Sequence, residues 1–274
     1  MLARLMFSQL LILLLFFGSC SKSTSGAEDI GTIGDAREEI KVMTYNVHHC
    51  NPPDRPNEID VAGIASVITA ESPELVALQE IDVATERSGK TLDQAKELGR
   101  LTNMHYYFVK AINTQGGEYG VAILSKFPFL EKQQQLLPMK QGVPGEQRVI
   151  GWVTVQLKNG KKVIFASTHF DTQDHRLLQA EKVAALFKNA PYPVILGGDF
   201  NDAPGAESIN YLDRSFIRTC RQSCLPTAPS TFPVKAIDLL FYKSTNAFEV
   251  IKNYTLPEHK GSDHLPLIAI LKVN

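Results

Sequence analysis

From residue 40 onward short apolar stretches alternate with longer amphipathic ones, and the two periods assign the elements. Apolar runs and two-residue alternations bounded by turn formers predict strands at 40–47, 74–79, 105–109, 119–124, 149–157, 162–168, 193–197, 237–241, 248–254 and 267–273. Three- and four-residue spacings predict helices over 60–70, 92–102 and 175–188. In the last of these Leu177, Ala180, Ala184 and Phe187 share one face, while Glu181, Lys182 and Lys188 occupy the others, and His175 reads as a solvated helix residue. Asn159-Gly160 is the sharpest local signal. Val153, Val155 and Leu157 alternate with polar residues before it and Val163 and Phe165 follow it, so the pair predicts a type I′ hairpin with positive φ at both positions. A long antiparallel hairpin within a mixed α/β pattern argues against a purely parallel sheet and favours two packed sheets with helices outside.

The chain has 274 residues, 44% hydrophobic and 21% charged, which is enough apolar content for a large core. No repeat or long linker interrupts it, so one domain is the simpler reading. The balance of 28 Lys and Arg against 29 Asp and Glu gives a net charge of −1 and argues against a protein built to clamp nucleic acid through its phosphates. It leaves room for a small local basic patch. Four cysteines form neither a disulfide framework nor a zinc motif.

The N-terminus reads as an address. Arg4 precedes an apolar run from Leu10 to Phe17, with Gly18 and Ser19 just before Cys20. The run is shorter than the ~20 residues that cross a bilayer, so residues 1–20 read as a signal peptide. Phe17-Gly18-Ser19-Cys20 resembles the lipobox of bacterial lipoproteins, although Phe17 stands where Leu is commoner. That resemblance implies lipidation of Cys20 and a lipid-anchored protein of the bacterial cell envelope, periplasmic or surface-facing; an ordinary secretory signal is the alternative. Residues 21–35, rich in Ser, Gly and Thr, read as a flexible tether, and residues 36–274 as the folded domain. Export makes a disulfide between Cys220 and Cys224 permissible, with two reduced thiols as the alternative. Cys50 follows His48 and His49, which suggests a metal cluster, but a half-buried thiol at a strand end is the simpler account.

The residues with chemistry sit at strand ends: Asn46, Glu80, His169, Asp199 with Asn201, Asp238, and Asp263 with His264. One Asp after a strand is usually a cap or turn former. Several endings of this kind, converging on one edge of an α/β fold, describe a site. Carboxylates and carboxamides are hard oxygen ligands suited to Mg2+ or Mn2+, with a carboxylate left over as a base, and the imidazoles can donate to a phosphoryl oxygen. There is no Ser nucleophile elbow, Gly-rich phosphate loop or dinucleotide fingerprint. Attack of water on a phosphoester, assisted by a divalent metal, is the inference.

In order, Tyr-Asn, Leu-Gln-Glu, Thr-His, Gly-Asp-Phe-Asn, Ile-Asp and Ser-Asp-His-Leu-Pro resemble the endonuclease/exonuclease/phosphatase superfamily, over roughly residues 40–274. The resemblance implies a four-layer α/β sandwich, with two mixed sheets face to face and helices on both outer faces. It implies Glu80 as principal ligand of Mg2+ or Mn2+, with Asn46 beside it and Asp263 ligating directly or through water. Asp199 would deprotonate the attacking water, with Asn201 orienting it. His264, held by Asp238, and His169 would bind the phosphoryl oxygens. Tyr119, Arg148 and Thr231 match a second tier, with Arg148 a charge neutraliser near the phosphate, and His48 could line the pocket mouth.

Departures from the subfamilies narrow the substrate. Leu196 stands where inositol polyphosphate 5-phosphatases would place Trp, and Trp152 is the only tryptophan, against an abasic-site endonuclease. The expected activity is a phosphodiesterase acting by in-line attack of water on a nucleic-acid, nucleotide or headgroup diester, small or lipid-linked rather than long DNA. A sphingomyelinase-like phospholipase and a non-catalytic binding module on the same fold are the alternatives. A monomer is expected.

Overall fold

The structure is a computed structural model, and it describes residues 38–243, 246–259 and 261–274. The leader, Cys20 and the tether lie outside the described residues; residues 36–274 form one compact unit.

Among the described residues, twelve strands build two six-stranded sheets. The first contains β1 (Glu39–Asn46), β2 (Leu75–Val83), β3 (His105–Thr114), β4 (Gly117–Ser125), β11 (Phe248–Thr255) and β12 (Leu267–Val273), in the order β11-β12-β1-β2-β4-β3. The second contains β5 (Phe129–Leu136), β6 (Val149–Gln156), β7 (Lys162–His169), β8 (Val194–Asp199), β9 (Ile217–Arg218) and β10 (Asp238–Lys243), in the order β5-β6-β7-β8-β10-β9. Both sheets are mixed: β1 runs parallel to β2 and β7 to β8, and the other neighbours are antiparallel.

The alternation along each strand separates three apolar layers. Ile40 and Val42 of β1, Val163 and Phe165 of β7 and Leu240 of β10 meet between the sheets. Met43 and Tyr45 point the other way, against α1 (Val61–Glu71) and α2 (Gln94–Thr102). Ile164, Leu196 and Phe241 face α3 (Arg176–Leu186) and α4 (Glu207–Leu212). The arrangement is the expected four-layer sandwich. Asp60 caps α1 by accepting from the Gly63 amide at 2.7 Å, and Asp93 caps α2 through Lys96 at 2.9 Å.

Several local expectations are corrected. The hairpin between β6 and β7 forms, but only Gly160 has positive φ (+83°); Gly160 N bonds Leu157 O (2.9 Å) and Leu157 N bonds Lys161 O (2.8 Å), a type I turn closed by a glycine bulge rather than type I′. Strand β5, Phe-Leu-Glu-Lys-Gln-Gln-Gln-Leu, is a solvated edge strand and carries no apolar alternation to betray it. His175 is fully buried at the start of α3, accepting from Lys140 N at 3.0 Å through Nδ1 and lying 3.2 Å from the Pro144 carbonyl through Nε2, so it is no solvated helix residue. Cys50 is fully buried rather than half-buried. Cys220 and Cys224 are joined as a disulfide.

Candidate active site

The site grows from the same alternation that builds the inter-sheet core. Inward positions along β1 run Ile40, Val42, Thr44, Asn46; along β7 Val163, Phe165, Ser167, His169; along β8 Ile195, Gly197, Asp199. At one end of the sandwich apolar side chains therefore give way to polar ones. Thr44 Oγ1 donates to Gln79 Oε1 (3.3 Å), Gln79 Nε2 to Ser167 Oγ (3.2 Å), and Ser167 Oγ to the Leu78 carbonyl (3.1 Å), which makes a buried polar floor. Gly197 lies in that layer because a Cβ there would come within 3.0 Å of Ala77 and 3.2 Å of Thr44 from the opposite sheet. Above the floor His169, Asp199 and Asp238 are direct register partners across β7, β8 and β10.

Glu80 reaches this end through a bulge. The pairing of β2 with β4 steps from Gln79 opposite Val121 to Ile81 opposite Gly120, and Glu80, the extra residue, has φ of 59°. Gln79 and Ile81 keep their faces, and the carboxylate between them turns to the strand ends. Asn46, fully buried, clamps the result: its Nδ2 donates to Glu80 Oε1 and to Asp199 Oδ2, each at 3.0 Å. Its Oδ1 accepts from His48 N at 3.0 Å.

Donors surround Asp199. Beyond Asn46, the Asn201 amide donates to Oδ1 (2.9 Å), and His169 Nε2 and His264 Nε2 stand 3.4 and 3.9 Å from Oδ2. Arg148 Nη1 lies 3.2 Å from His169 Nδ1. Arginine only donates, so this contact favours Nδ1 as the acceptor with the proton on Nε2, toward Asp199, whereas the Asn201 amide nitrogen, which also only donates, favours the opposite tautomer. Asn201 Nδ2 donates to the Phe170 carbonyl (2.9 Å) and lies 3.1 Å from His169 Nε2. His264 Nδ1 donates to Asp238 Oδ2 at 2.7 Å, and Asp238 Oδ1 is buried without a partner.

These contacts drive the ionisations apart. Burial, then the charge of Asp238, pushes Asp199 up to about 7, against the pull of His264 and the bonds from Asn201 and Asn46. Burial disfavours the charged form of His264, but the charge and hydrogen bond of Asp238, with Asp199 and Asp263, outweigh it and push the imidazole up to about 10. Burial, followed by the charges of Arg148 and His264, holds His169 well below the ordinary imidazole range. One cluster thus holds a carboxylate poised as a base near neutrality, a charged imidazole and a neutral one.

Asp263 sits at the rim, half-buried, 3.3 Å from Ser262 Oγ and 3.9 Å from His48 Nδ1. Tyr119 is buried beside Arg148, whose Nη1 pairs with Glu146 at 3.0 Å. Thr231 is exposed, and among the described residues no hydrogen bond joins it to the others. Its neighbour Ser230 makes that link instead, donating from Oγ to the Ser262 carbonyl (2.7 Å) and from N to the Asp263 carbonyl (2.6 Å). Ser262, whose Oγ donates to the Asn46 carbonyl at 2.7 Å, ties the Asp263-His264 loop to the end of β1. Sequence reasoning passed over Ser230, Ser262 and the Gln79–Ser167 floor, although Ser262 stands in the Ser-Asp-His motif itself. It also set aside His48 and His49, whose ligating atoms lie within 4.8 Å of one another and of a Glu80 carboxylate oxygen.

The family model described as "Endonuclease/Exonuclease/phosphatase family" matches residues 43–264. No curated protein matches the chain. Among solved structures, an endonuclease/exonuclease/phosphatase from Beutenbergia cavernae is 24% identical with a TM-score of 0.72, over 87% of this chain and 72% of that one. A mannosyl-6-phosphatase of Bacteroides thetaiotaomicron is 20% identical with a TM-score of 0.68, over 85% and 99%. The human Nocturnin catalytic domain, with a bound sulfate anion, is 20% identical with a TM-score of 0.66, over 87% and 97%. At these identities the likeness is one of fold, and the family match, spanning every strand end described above, carries the assignment. The chain belongs to the endonuclease/exonuclease/phosphatase family of phosphoester hydrolases.

Proposed function

We propose that this protein is a divalent-metal-dependent phosphodiesterase acting on a small or lipid-linked diester, with Asp199 as the base. The observation that carries the reading is the joining of Asp199, through Asn46, to Glu80 on one side, with the Asp238–His264 pair on the other. Asp199 takes the proton of the attacking water, and the Asn201 amide on its Oδ1 holds the carboxylate in direction. His264, charged through Asp238, offers Nε2–H to a phosphoryl oxygen, and neutral His169 offers its own Nε2–H beside it.

Members of this family depend on a divalent metal, and the donors here fit one. Glu80 and Asp263 supply carboxylates, and Asn46 Oδ1 retains a second lone pair beside its bond to His48 N. The set is hard and oxygen-based, which suits Mg2+ or Mn2+. Bound there, the ion supplies positive charge to the phosphoryl group.

Charge favours a diester over a dianionic monoester. Arg148 is paired with Glu146, and Arg87 is held by Asp82 through bonds of 2.7 and 2.8 Å, so neither brings free positive charge to a second phosphate charge. A phospholipid diester is the second reading. Phe232 and Val234, 75% and 61% exposed, lie on the loop that Ser230 ties to Ser262 and Asp263, and would meet an apolar substrate at the rim. Lipidation at Cys20, as the lipobox-like motif suggests, would hold such a monomer at the envelope membrane.

Assay of the protein on bis-p-nitrophenyl phosphate, oligonucleotides, nucleotides and phospholipid vesicles, with Mg2+ or Mn2+ and with chelator, tests the reading. Turnover should require metal and vanish in Asp199→Asn. Undiminished turnover in chelator would sink the mechanism; no turnover on any phosphoester would favour a binding module.

A further inference from the structure

The strand β1 leaves the site through one turn, His48–Cys50, whose residues have φ of 46°, 43° and 59°. Three successive non-glycine residues in the left-handed region are costly and persist only where surrounding bonds hold them. Those bonds are present. The His48 amide bonds Asn46 Oδ1 (3.0 Å), Cys50 N bonds Val47 O (2.7 Å), Gln94 Nε2 donates to the His49 carbonyl (2.6 Å), and Asp60 N to the Cys50 carbonyl (2.7 Å). The turn does not serve the core alone, since only Cys50 among its side chains is fully buried. Its effect is to bring two adjacent imidazoles to one carboxylate.

We propose that His48, His49 and Glu80 form a nitrogen-rich divalent-cation site, distinct in donor chemistry from the oxygen set of Asn46, Glu80 and Asp263 and sharing Glu80 with it. The ligating atoms of the three lie within 4.8 Å of one another. His49 Nδ1 is buried with no hydrogen-bond partner, an open lone-pair position where a polar atom would otherwise be satisfied. His48 Nδ1 faces the Asn51 carbonyl at 3.2 Å, so it carries the proton and leaves Nε2 with the lone pair, the carbonyl-backed imidazole usual for metal ligands. Of the Glu80 oxygens, Asn46 engages only Oε1, and among the described residues Oε2 accepts no bond. Asp263 Oδ1, 3.9 Å from His48 Nδ1, adds negative charge at the edge. Two imidazoles and a carboxylate select Mn2+, Fe2+, Co2+ or Zn2+ over Mg2+. A shared carboxylate is also how two-ion phosphoester sites set their ions roughly 3.5–4 Å apart.

The proposal concerns metal binding and does not rest on which phosphoester is cleaved. Its test uses the full chain stripped of metal and loaded with one equivalent of Zn2+, examined by zinc-edge X-ray absorption, with Zn2+ and Mg2+ affinities measured by calorimetry. Two imidazoles should appear in the native protein's scattering. The double substitution His48→Ala/His49→Ala should remove them and weaken Zn2+ binding at least tenfold, while Mg2+ affinity stays within about twofold. His48→Ala alone, at a partly exposed position, should remove one imidazole without threatening the fold. Fewer than two imidazoles in the native protein overturns the proposal. So does scattering unchanged in the double variant, which would place the ion on His169 and His264 beside Asp199. Two imidazoles in a protein inert toward every phosphoester would support the site and count only against the phosphodiesterase.

Discussion

His264 Nδ1 donates to Asp238 Oδ2 at 2.7 Å, and this one bond decides the charge that the site presents to a phosphate. A buried imidazole alone titrates low; with Asp238 behind it His264 is pushed up to about 10. The imidazolium is therefore present across neutral pH and is lost only as pH rises through that value. Turnover should fall on an alkaline limb near pH 10. Asp238→Asn removes the largest raising charge and its hydrogen bond, leaving Asp199 and Asp263 against burial, so the limb should move to lower pH and the rate at alkaline pH drop roughly 10²-fold. A pH–rate profile of the two proteins checks this; an unmoved alkaline limb would assign it to another group.

Much of this was legible in the sequence because strand ends are written in it. An apolar run closing on Asp199, His169 or Asp238 announces both the strand and the polar residue at its tip, and in-register pairing of β7, β8 and β10 then lines the tips up. The solvated edge β5 was silent, since a strand of Glu, Lys and Gln has no hydrophobic period to read. Glu80 reads as the end of its strand, but the strand continues past it to Val83; a bulge is a change of register that only the partner strand reveals. Nothing in two adjacent histidines signals the left-handed turn that brings them to the same carboxylate.

Asp199 should make the fold less stable in the service of reactivity. Its folded carboxyl is raised to about 7, above the ~3.9 of an unfolded chain. Between those values the folded state holds more proton than the unfolded state, so stability falls as pH rises from about 4 to about 7. Asp199→Asn escapes this loss while retaining the shape of the side chain. In chelator the variant should melt above the native protein at pH 8, with the gap closing as pH falls to 4. Scanning calorimetry across that range reads it, and a gap independent of pH would remove the strained-carboxylate account.

The lipobox-like segment ending at Cys20 makes a separate prediction. If the cysteine carries the acyl groups, the protein partitions with membranes and takes up radiolabelled palmitate. Cys20→Ser should move it to the soluble fraction and abolish labelling without altering its turnover. Membrane retention of the serine variant would show that the leader, rather than the lipid, is the anchor.

Arg148 reaches His169 Nδ1 at 3.2 Å and Glu146 Oε1 at 3.0 Å through the same Nη1, and is only 7% exposed. Its role follows from geometry more than from charge. Because it can only donate, its contact with Nδ1 favours the Nε2–H tautomer, which points a donor toward Asp199, against the donor-only Asn201 amide nitrogen 3.1 Å from Nε2. Lysine keeps the positive charge but loses the planar fork, so Arg148→Lys should release the ring to exchange tautomers. Turnover should fall roughly 10²-fold, as when one oriented donor is withdrawn, with substrate binding changed far less. Nitrogen NMR of His169 separates this from simple loss of charge. The native ring should show one tautomer with a pyridine-like Nδ1, and the variant a mixture; a single unchanged tautomer in a slowed enzyme would return Arg148 to the role of charge neutraliser.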